Sequence, residues 1–176
     1  MRRQNAQAVL SVIVWLALAI PGPATWAGET SDLAYGSFVD SDSRLKCLYG
    51  YAAEKTGDHR SAMLIFEDCI ERWNDVYSMI WLAQMYETGV AVPQDLQKST
   101  ALLKRGAEQQ DEAGYASLAR LHYGVALYEG VGTELDREQG IRYLRLAAEE
   151  GVTEACDYLT EQGLDCPQPG EPDTTQ

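Results

Sequence analysis

"LYEGVGTELDREQGIRYLRLAAEEG", residues 127–151, repeats the pattern of "MYETGVAVPQDLQKSTALLKRGAEQQ", residues 85–110. Self-similarity at one fixed period is typical of repeat proteins, in which each unit buries its apolar side against its neighbours. The two stretches are related by a shift of 41 residues, which pairs Gly89 with Gly130, Ala91 with Gly132, Asp95 with Asp136, Leu103 with Leu144 and Ala107 with Ala148.

The Gly-Val-Gly step at residues 130–132 could suggest a phosphate-binding loop. Such a loop needs its glycines after a strand, with backbone amides converging on the anion. Here the preceding segment has a helical pattern, and the earlier copy lacks the second glycine. We therefore expect Gly89 and Gly130 to end a first helix in the left-handed conformation, and Asp95 and Asp136 to cap the second helix.

The rest of the chain from residue 44 shows the same helical periodicity. In "SAMLIFEDCIERW", residues 61–73, the apolar side chains recur at steps of three and four, and the segments that start at residues 76, 95, 113, 136 and 153 show similar stripes. No segment alternates like a strand, so the fold class is all-α. A shorter relative of the two copies, residues 48–73, supplies an earlier unit, which makes about three helix-turn-helix repeats plus a capping helix.

These motifs resemble known repeats. The glycine turns followed by an aspartate and by "GAEQQD" or "AAEEG" are similar to the Sel1-like repeat, and "YGYAAEKTGDHRSAMLIFEDCIE" resembles its relative, the tetratricopeptide repeat. The resemblance implies a right-handed α-solenoid over residues 44–166. It also implies a scaffold role, since such proteins typically bind other proteins along a concave groove.

The copies depart from the family pattern in two ways. Ser99 and Gly140 stand where alanine is usual in the second helix, which we expect to loosen the packing. Leu82 and Leu118 are 36 residues apart, against 41 for the other pairs, so about five residues within "LHYGVALY" are extra. We expect a longer first helix with a kink near Gly124, or a small protrusion.

The ends of the chain have a different composition. Residues 1–27 combine two arginines, a short apolar run and small residues, which predicts a cleavable signal peptide because the run is shorter than the roughly 20 residues a bilayer needs. A leader at residues 28–43 and a disordered tail at residues 167–176 complete the prediction. After cleavage we expect no membrane span.

The chain carries a formal net charge of −13 at pH 7. Such a surface repels phosphate backbones and anionic lipids, so nucleic acid is not expected as a partner, while cationic partners would be attracted. The acidity could also serve solubility alone.

Four cysteines, Cys47, Cys69, Cys156 and Cys166, fit an oxidising compartment. Cys47 lies ten residues before Gly57, and Cys69 lies eleven residues after Asp58, the two residues of the predicted turn. Antiparallel helices on either side of this turn therefore bring the two cysteines to the same height along the helix axes. Cys156 and Cys166 could join the last helix to the chain beyond it. Three pairings are formally possible, and zinc is a rival interpretation, but zinc sites normally contain Cys-x-x-Cys pairs, which this sequence lacks. We expect no metal and no cofactor.

Candidate catalytic motifs are weak. "SRLK" at residues 43–46 and "KTG" at residues 55–57 match two elements of penicillin-recognising enzymes, and some exported Sel1-like proteins are linked to β-lactam binding. Only eight residues separate the matches, and the Ser-Asp-Asn element is absent. His59 and His122 have no nucleophile placed beside them in the sequence. We predict a protein that is not an enzyme and has no catalytic residues.

The prediction is therefore an exported protein-protein interaction module, acting as an adaptor or scaffold in the bacterial cell envelope. The periplasm is the expected location, with secretion as the alternative. The other functions considered are a small periplasmic hydrolase or binder of cell-wall or β-lactam-like substrates, and a secreted effector that binds a host protein. Aromatic side chains are the candidate contacts with a protein partner: Trp73, Tyr77, Trp81, Tyr86, Tyr123 and Tyr128.

Overall fold

The computed structural model describes residues 35–111 and 113–167. The predicted signal peptide, the first part of the leader (residues 28–34) and the tail from residue 168 lie outside the described residues. Within them the chain forms one 3-10 helix, Tyr35–Phe38, and the α-helices α1 Lys46–Lys55, α2 His59–Trp73, α3 Val76–Thr88, α4 Leu96–Ala107, α5 Tyr115–Glu129, α6 Arg137–Glu149 and α7 Thr153–Glu161.

The architecture is a stack of helix pairs. Each helix contacts the next one along the chain, and α3 also contacts both α1 and α5. The pairs α1/α2, α3/α4 and α5/α6 are therefore three repeats, and α7 closes the last of them. The described part of the chain contains no strand, which confirms the all-α solenoid that the sequence predicts. Its right-handedness stays a prediction.

Four apolar clusters hold the stack together: one lies within α1 and α2, and each of the other three draws on three successive helices. The first of these three includes Ala53 on α1, Phe66 on α2 and Met79 on α3. The second joins α3, α4 and α5, and the third joins α5, α6 and α7. The first two of these three clusters each span two repeats, and the third joins the last repeat to α7, so each helix pair buries apolar side chains against a neighbouring element.

The helix ends follow the predicted chemistry. Gly89 and Gly130 end α3 and α5 with φ of 75° and 74°, in the left-handed region that favours glycine. Asp95 caps α4 by accepting a hydrogen bond from the backbone N–H of Lys98 at 3.0 Å. Asp136 caps α6 in the same way, accepting from the N–H of Gln139 at 2.9 Å. The glycine step is thus a helix terminus, as expected.

The prediction about the extra residues is wrong in its position. Helix α5 is continuous through Gly124 and has 15 residues against 13 in α3. The connection before α5, residues 108–114, is longer than the connection of residues 74–75 before α3. The leucine match at 36 residues was misleading because the buried counterpart of Leu82, 41 residues on, is Tyr123. The expected longer first helix is therefore present, since α5 gains two residues, but the other additional residues precede it and none interrupts it.

The expectation that Gly140 loosens the packing is also wrong. A Cβ atom at Gly140 would lie 2.8 Å from the carbonyl oxygen of Gly124 and 2.9 Å from the backbone nitrogen of Tyr128. A Cβ at Gly124 would in turn lie 3.0 Å from the carbonyl oxygen of Gly140. The two glycines thus let the backbones of α5 and α6 approach more closely than any side chain would allow.

Residues 35–42 pack on the first repeat. The backbone N–H of Tyr35 donates to the Asp58 carboxylate at 3.1 Å, and the rings of Phe38 and Tyr49 stack at 4.3 Å. Arg72 on α2 forms an ion pair with Asp42 at 2.6 Å. This part of the leader is therefore folded against α1 and α2.

A buried lysine reinforces that contact. The side chain of Lys46 is fully buried, and its Nζ donates to the carbonyl of Val39 at 2.7 Å. The same Nζ forms an ion pair with Asp68 at 2.6 Å and lies 5.7 Å from the ring centre of Trp73. Buried charges require such partners because the interior solvates them poorly.

Both predicted cysteine pairs lie at disulfide distance. The Cα atoms of Cys47 and Cys69 are 6.0 Å apart, and their bond joins α1 to α2 inside the protein. The Cα atoms of Cys156 and Cys166 are 5.1 Å apart, and their bond ties the segment after α7 back to that helix. The two bonds thus lie in the first and last parts of the described stack.

Candidate functional site

Four aromatic rings form a row across the first helices of the three repeats. Tyr51 on α1 lies 4.7 Å from Trp81 on α3, measured between ring centres. Trp81 lies 6.2 Å from Tyr77 on the same helix, and Tyr77 lies 5.0 Å from Tyr115 on α5. We call these four residues the aromatic face.

The face follows from the helical spacing and from the contacts among α1, α3 and α5. Tyr77 and Trp81 are four residues apart, so their side chains lie on one side of α3. Trp81 points toward α1 and meets Tyr51, while Tyr77 meets Tyr115 on α5. Tyr51 is 39% exposed, and the other three rings are half-buried. Aromatic rings that are packed on one side and open on the other are typical of protein-binding surfaces.

An open cavity of about 330 Å³ adjoins one end of the face. Its walls include Tyr77, Tyr115 and two leucines of the α1 region, Leu45 and Leu48, which are 66% and 55% exposed. Arg44 lies at the same cavity and bonds the carboxylate of Asp75 at 3.3 Å. The cavity is therefore mainly apolar with one ion pair in its lining, a composition suited to a large apolar side chain.

A second cavity of about 200 Å³ continues along α3 and α5. Trp81, Ile80 and Leu118 supply its apolar wall, and Gln84 and His122 supply polar groups. Trp81 thus borders both the aromatic row and this cavity. The face and its two cavities extend over all three first helices, as an elongated binding surface requires.

Tyr77, at the centre of the face, remains uncharged at neutral pH. Burial raises the pKa of Tyr77 to about 12, and the neighbouring Tyr115 adds to the shift. A neutral phenol keeps both its donor and its acceptor capacity. The centre of the face therefore offers rings and hydroxyl groups without a negative charge of its own.

Of the six predicted contact residues, the structure brings Tyr77 and Trp81 together in the face. Trp73 lies beside the buried Lys46, away from the other two. Tyr86 packs against the first apolar cluster, with the Nζ of Lys98 5.2 Å from its ring centre. Neither of these rings adjoins the aromatic face.

The two tyrosines of α5 in that prediction have internal partners. Tyr123 is 5% exposed and meets Tyr143 at 4.9 Å between ring centres. Tyr128 meets Tyr158 on α7 at 5.8 Å and lies under the guanidinium of Arg137 at 5.3 Å. We leave both out of the binding surface, since Tyr123 contacts α6 and Tyr128 contacts α7 and the first residue of α6.

Tyr51, Tyr115 and Leu48 belong to the surface although the sequence reasoning did not select them. The concentration of aromatic residues around α3 drew attention to that helix alone. A signal was present, because Leu48 and Tyr51 are three residues apart and share one side of α1. The missing information was which side of α1 and α5 borders α3.

The two enzyme-like motifs do not meet. Ser43 precedes α1 and Lys46 begins it, whereas Lys55 ends it and Gly57 follows. Opposite ends of a ten-residue helix are separated by about 15 Å at the usual rise per residue. Lys46 is in addition buried in its contacts with Asp68 and Val39. The motifs therefore do not assemble a nucleophile and a base.

Over residues 35–111 and 113–167, no three or more histidine, cysteine, aspartate or glutamate side chains are grouped to hold a metal ion. Across the same ranges, no helix combines the length and the apolar character that crossing a bilayer demands.

Comparison with protein families gives one match. Residues 76–111 and 117–152 each match the Sel1 repeat, and these segments contain α3/α4 and nearly all of α5/α6. Neither the curated proteins nor the solved structures gave a significant match. Of the five residues between the two matched segments, residues 112–114 lie in the long connection before α5 and residues 115–116 begin that helix. The chain thus carries two Sel1 repeats, as its glycine turns indicate.

Proposed function

We propose that this chain, a protein with two Sel1 repeats, is an exported adaptor or scaffold of the bacterial cell envelope that binds a protein partner along the aromatic face. Sel1 repeats commonly mediate interactions between proteins, which supports the binding role. The envelope, the partner's identity and the aromatic face as its binding site belong to the proposal.

The row of four rings with a cavity at each side is the observation that carries this proposal. Rigid aromatic side chains offer a large contact area at little cost in conformational entropy. They also concentrate binding energy, because a few buried aromatic contacts dominate most protein interfaces. A partner segment that lies across α1, α3 and α5 would cover the rings and fill the cavities.

The proposed location has separate support. Two cysteine pairs at bonding distance favour an oxidising compartment, since the cytosol keeps thiols reduced. The composition of residues 1–27 favours export. Fractionation of the producing bacterium, with terminal sequencing of the recovered protein, tests this part. Protein found in the cytoplasm with intact residues 1–27 and reactive thiols would overturn it.

Site-specific photo-crosslinking in living cells tests the binding surface. A photoreactive amino acid at Gln84, which lines the second cavity, should capture a partner, identified by mass spectrometry. The same amino acid at Glu67, exposed on α2, is the matched control and should capture none. Trp81→Ala should reduce the Gln84 product at least tenfold, whereas Trp73→Phe should leave it unchanged. Equal capture from both positions would contradict the assignment of the face.

A further inference from the structure

Tyr51 and Trp81, at one end of the aromatic row, form an open angle. Their ring planes are inclined at 52° with the centres 4.7 Å apart. The ammonium group of Lys55, which ends α1, lies 4.6 Å from the ring centre of Trp81 and 5.5 Å from that of Tyr51. A cation is attracted to the negative faces of such rings. The protein therefore fills this aromatic angle with one of its own cations.

A carboxylate completes the site. Oε2 of Glu54 lies 3.0 Å from the Nζ of Lys55, and the Glu54 side chain is only 17% exposed. This oxygen atom is inaccessible to solvent and accepts no hydrogen bond from the described residues. Apart from the adjacent ammonium, nothing in the described part of the chain neutralises it. We call Tyr51, Glu54 and Trp81 the cation notch.

Lys55 is a replaceable occupant of the notch. Its side chain is 48% exposed and sits in the last turn of α1, so it can swing into water when another cation takes over its contact with the Glu54 carboxylate. An exposed cation–π contact is weak. A second cation that brings its own binding energy from neighbouring contacts can therefore take the place of Lys55.

We propose that the cation notch receives an arginine or lysine side chain of the protein partner, and that Lys55 holds this place in the free protein. This inference rests on the proposed function, because two residues of the notch, Tyr51 and Trp81, belong to the aromatic face and Trp81 also lines the second cavity. The ligand must be a cation, since π faces and a buried carboxylate disfavour anions. The formal net charge of −13 attracts cationic segments toward the chain.

Removal of the internal cation provides the test. The Trp81 indole N–H resonance, assigned with Trp81→Phe, is followed by NMR while blocked arginine amide or blocked norleucine amide is added to the full chain. Lys55→Gln should bind the arginine probe at least threefold more tightly than the unaltered chain. Glu54→Gln combined with Lys55→Gln should lose that gain, and norleucine should cause no comparable shift. Thermal unfolding of each variant shows that it is folded.

Three results would overturn the notch. The first is equal affinity of the chain and of Lys55→Gln for the arginine probe, and the second is equal response to arginine and norleucine. The third is tighter binding of tetramethylammonium, titrated as an additional probe in the same NMR experiment, which would assign the site to a small quaternary amine. Gln84 crosslinking distinguishes this failure from failure of the proposed function. A partner captured there equally by the chain and by Glu54→Gln overturns the notch and leaves the binding surface intact.

Discussion

The second repeat of the stack, residues 76–111, and the third, residues 117–152, share one frame but place glycine differently. Ala91 and Gly132 occupy the same turn position with φ of 62° and 67°. A Cβ at Gly132 would collide with the carbonyl of Leu96 on α4. The hydroxyl of Thr100 on α4 also donates to the carbonyl of Val131 at 2.9 Å. The third turn therefore packs on the preceding repeat, and that contact excludes a side chain that the second turn accepts.

The contact between the two helices of a repeat also contains glycine in the third repeat where the second repeat has larger residues. Gly124 and Gly140 meet where the second repeat has Ala83 and Ser99. Removing both side chains brings α5 and α6 into backbone contact. These repeats therefore require glycine for two separate reasons: a left-handed backbone conformation in a turn, and a close approach between two backbones. Only the second reason depends on the neighbouring element.

Among the substitutions that test this difference between the repeats, Gly132→Ala should have the largest effect on stability. The new methyl group must displace the backbone of α4 in a left-handed conformation that disfavours alanine, so we expect a loss of about 3 kcal/mol in the free energy of unfolding. Denaturant titration measures it. Gly57→Ala is the control, since Gly57 has φ of 89° with open space around it. The control should cost only about 1 kcal/mol; equal losses would refute the contact argument.

Gly140→Ala should come next. Two backbone atoms within 3 Å of the added methyl force α5 and α6 apart. The better helix propensity of alanine offsets part of the strain, which leaves a loss of about 2 kcal/mol. The counterpart Ser99→Ala should change stability by less than about 1 kcal/mol. The same denaturant titration compares both variants. A stabilised Gly140→Ala protein would show that the crossing is looser than described.

The location of the extra residues shows what the sequence could and could not predict. The 41-residue register, the aspartate caps and the cysteine pairing were predictable because each depends on spacing within one or two helices. The predicted position of the extra residues was wrong because a leucine on the apolar side of one helix can be paired with a leucine on the apolar side of any other, here Leu82 with Leu118. Only the packing reveals that Tyr123 takes the buried position that corresponds to Leu82. Tyr51 and Tyr115 were missed for the same reason: their role depends on which helix lies beside their own.

Ala91→Gly places glycine in the turn of the second repeat, as in the third, and should increase stability. Glycine relieves the left-handed strain at this turn but increases the entropy of the unfolded chain, so the net gain should be about 0.5 kcal/mol. The midpoint of thermal unfolding measures it. Ala101→Gly on the exposed side of α4 is the control and should destabilise the protein. A destabilised Ala91→Gly protein would mean that the turn uses the alanine methyl group in a contact.

The smallest effect concerns the cap of α4 and depends on pH. Hydrogen bonding from the backbone N–H of Lys98 lowers the pKa of Asp95. Because the folded pKa is depressed, the stabilisation is present above the ordinary pKa of an aspartate and is lost as the pH falls through the folded value. Asp95→Ala should therefore have a lower melting temperature than the unaltered protein near pH 6, and the difference should shrink as the pH falls below the ordinary pKa of an aspartate.

Asp95→Asn separates charge from capping in that experiment. Asparagine caps helices well without titrating, so its melting temperature should stay closer to that of the unaltered protein over the same pH range. A gap between Asp95→Ala and the unaltered protein that is independent of pH would contradict the role of the carboxylate.

The contact between Lys46 and Val39 determines how this chain can be divided. A fragment that began at Arg44 would keep α1 to α7, yet its first repeat would retain a buried ammonium without the carbonyl that it bonds. Anyone who grafts these repeats onto another protein, or trims them for production, should therefore cut upstream of Tyr35.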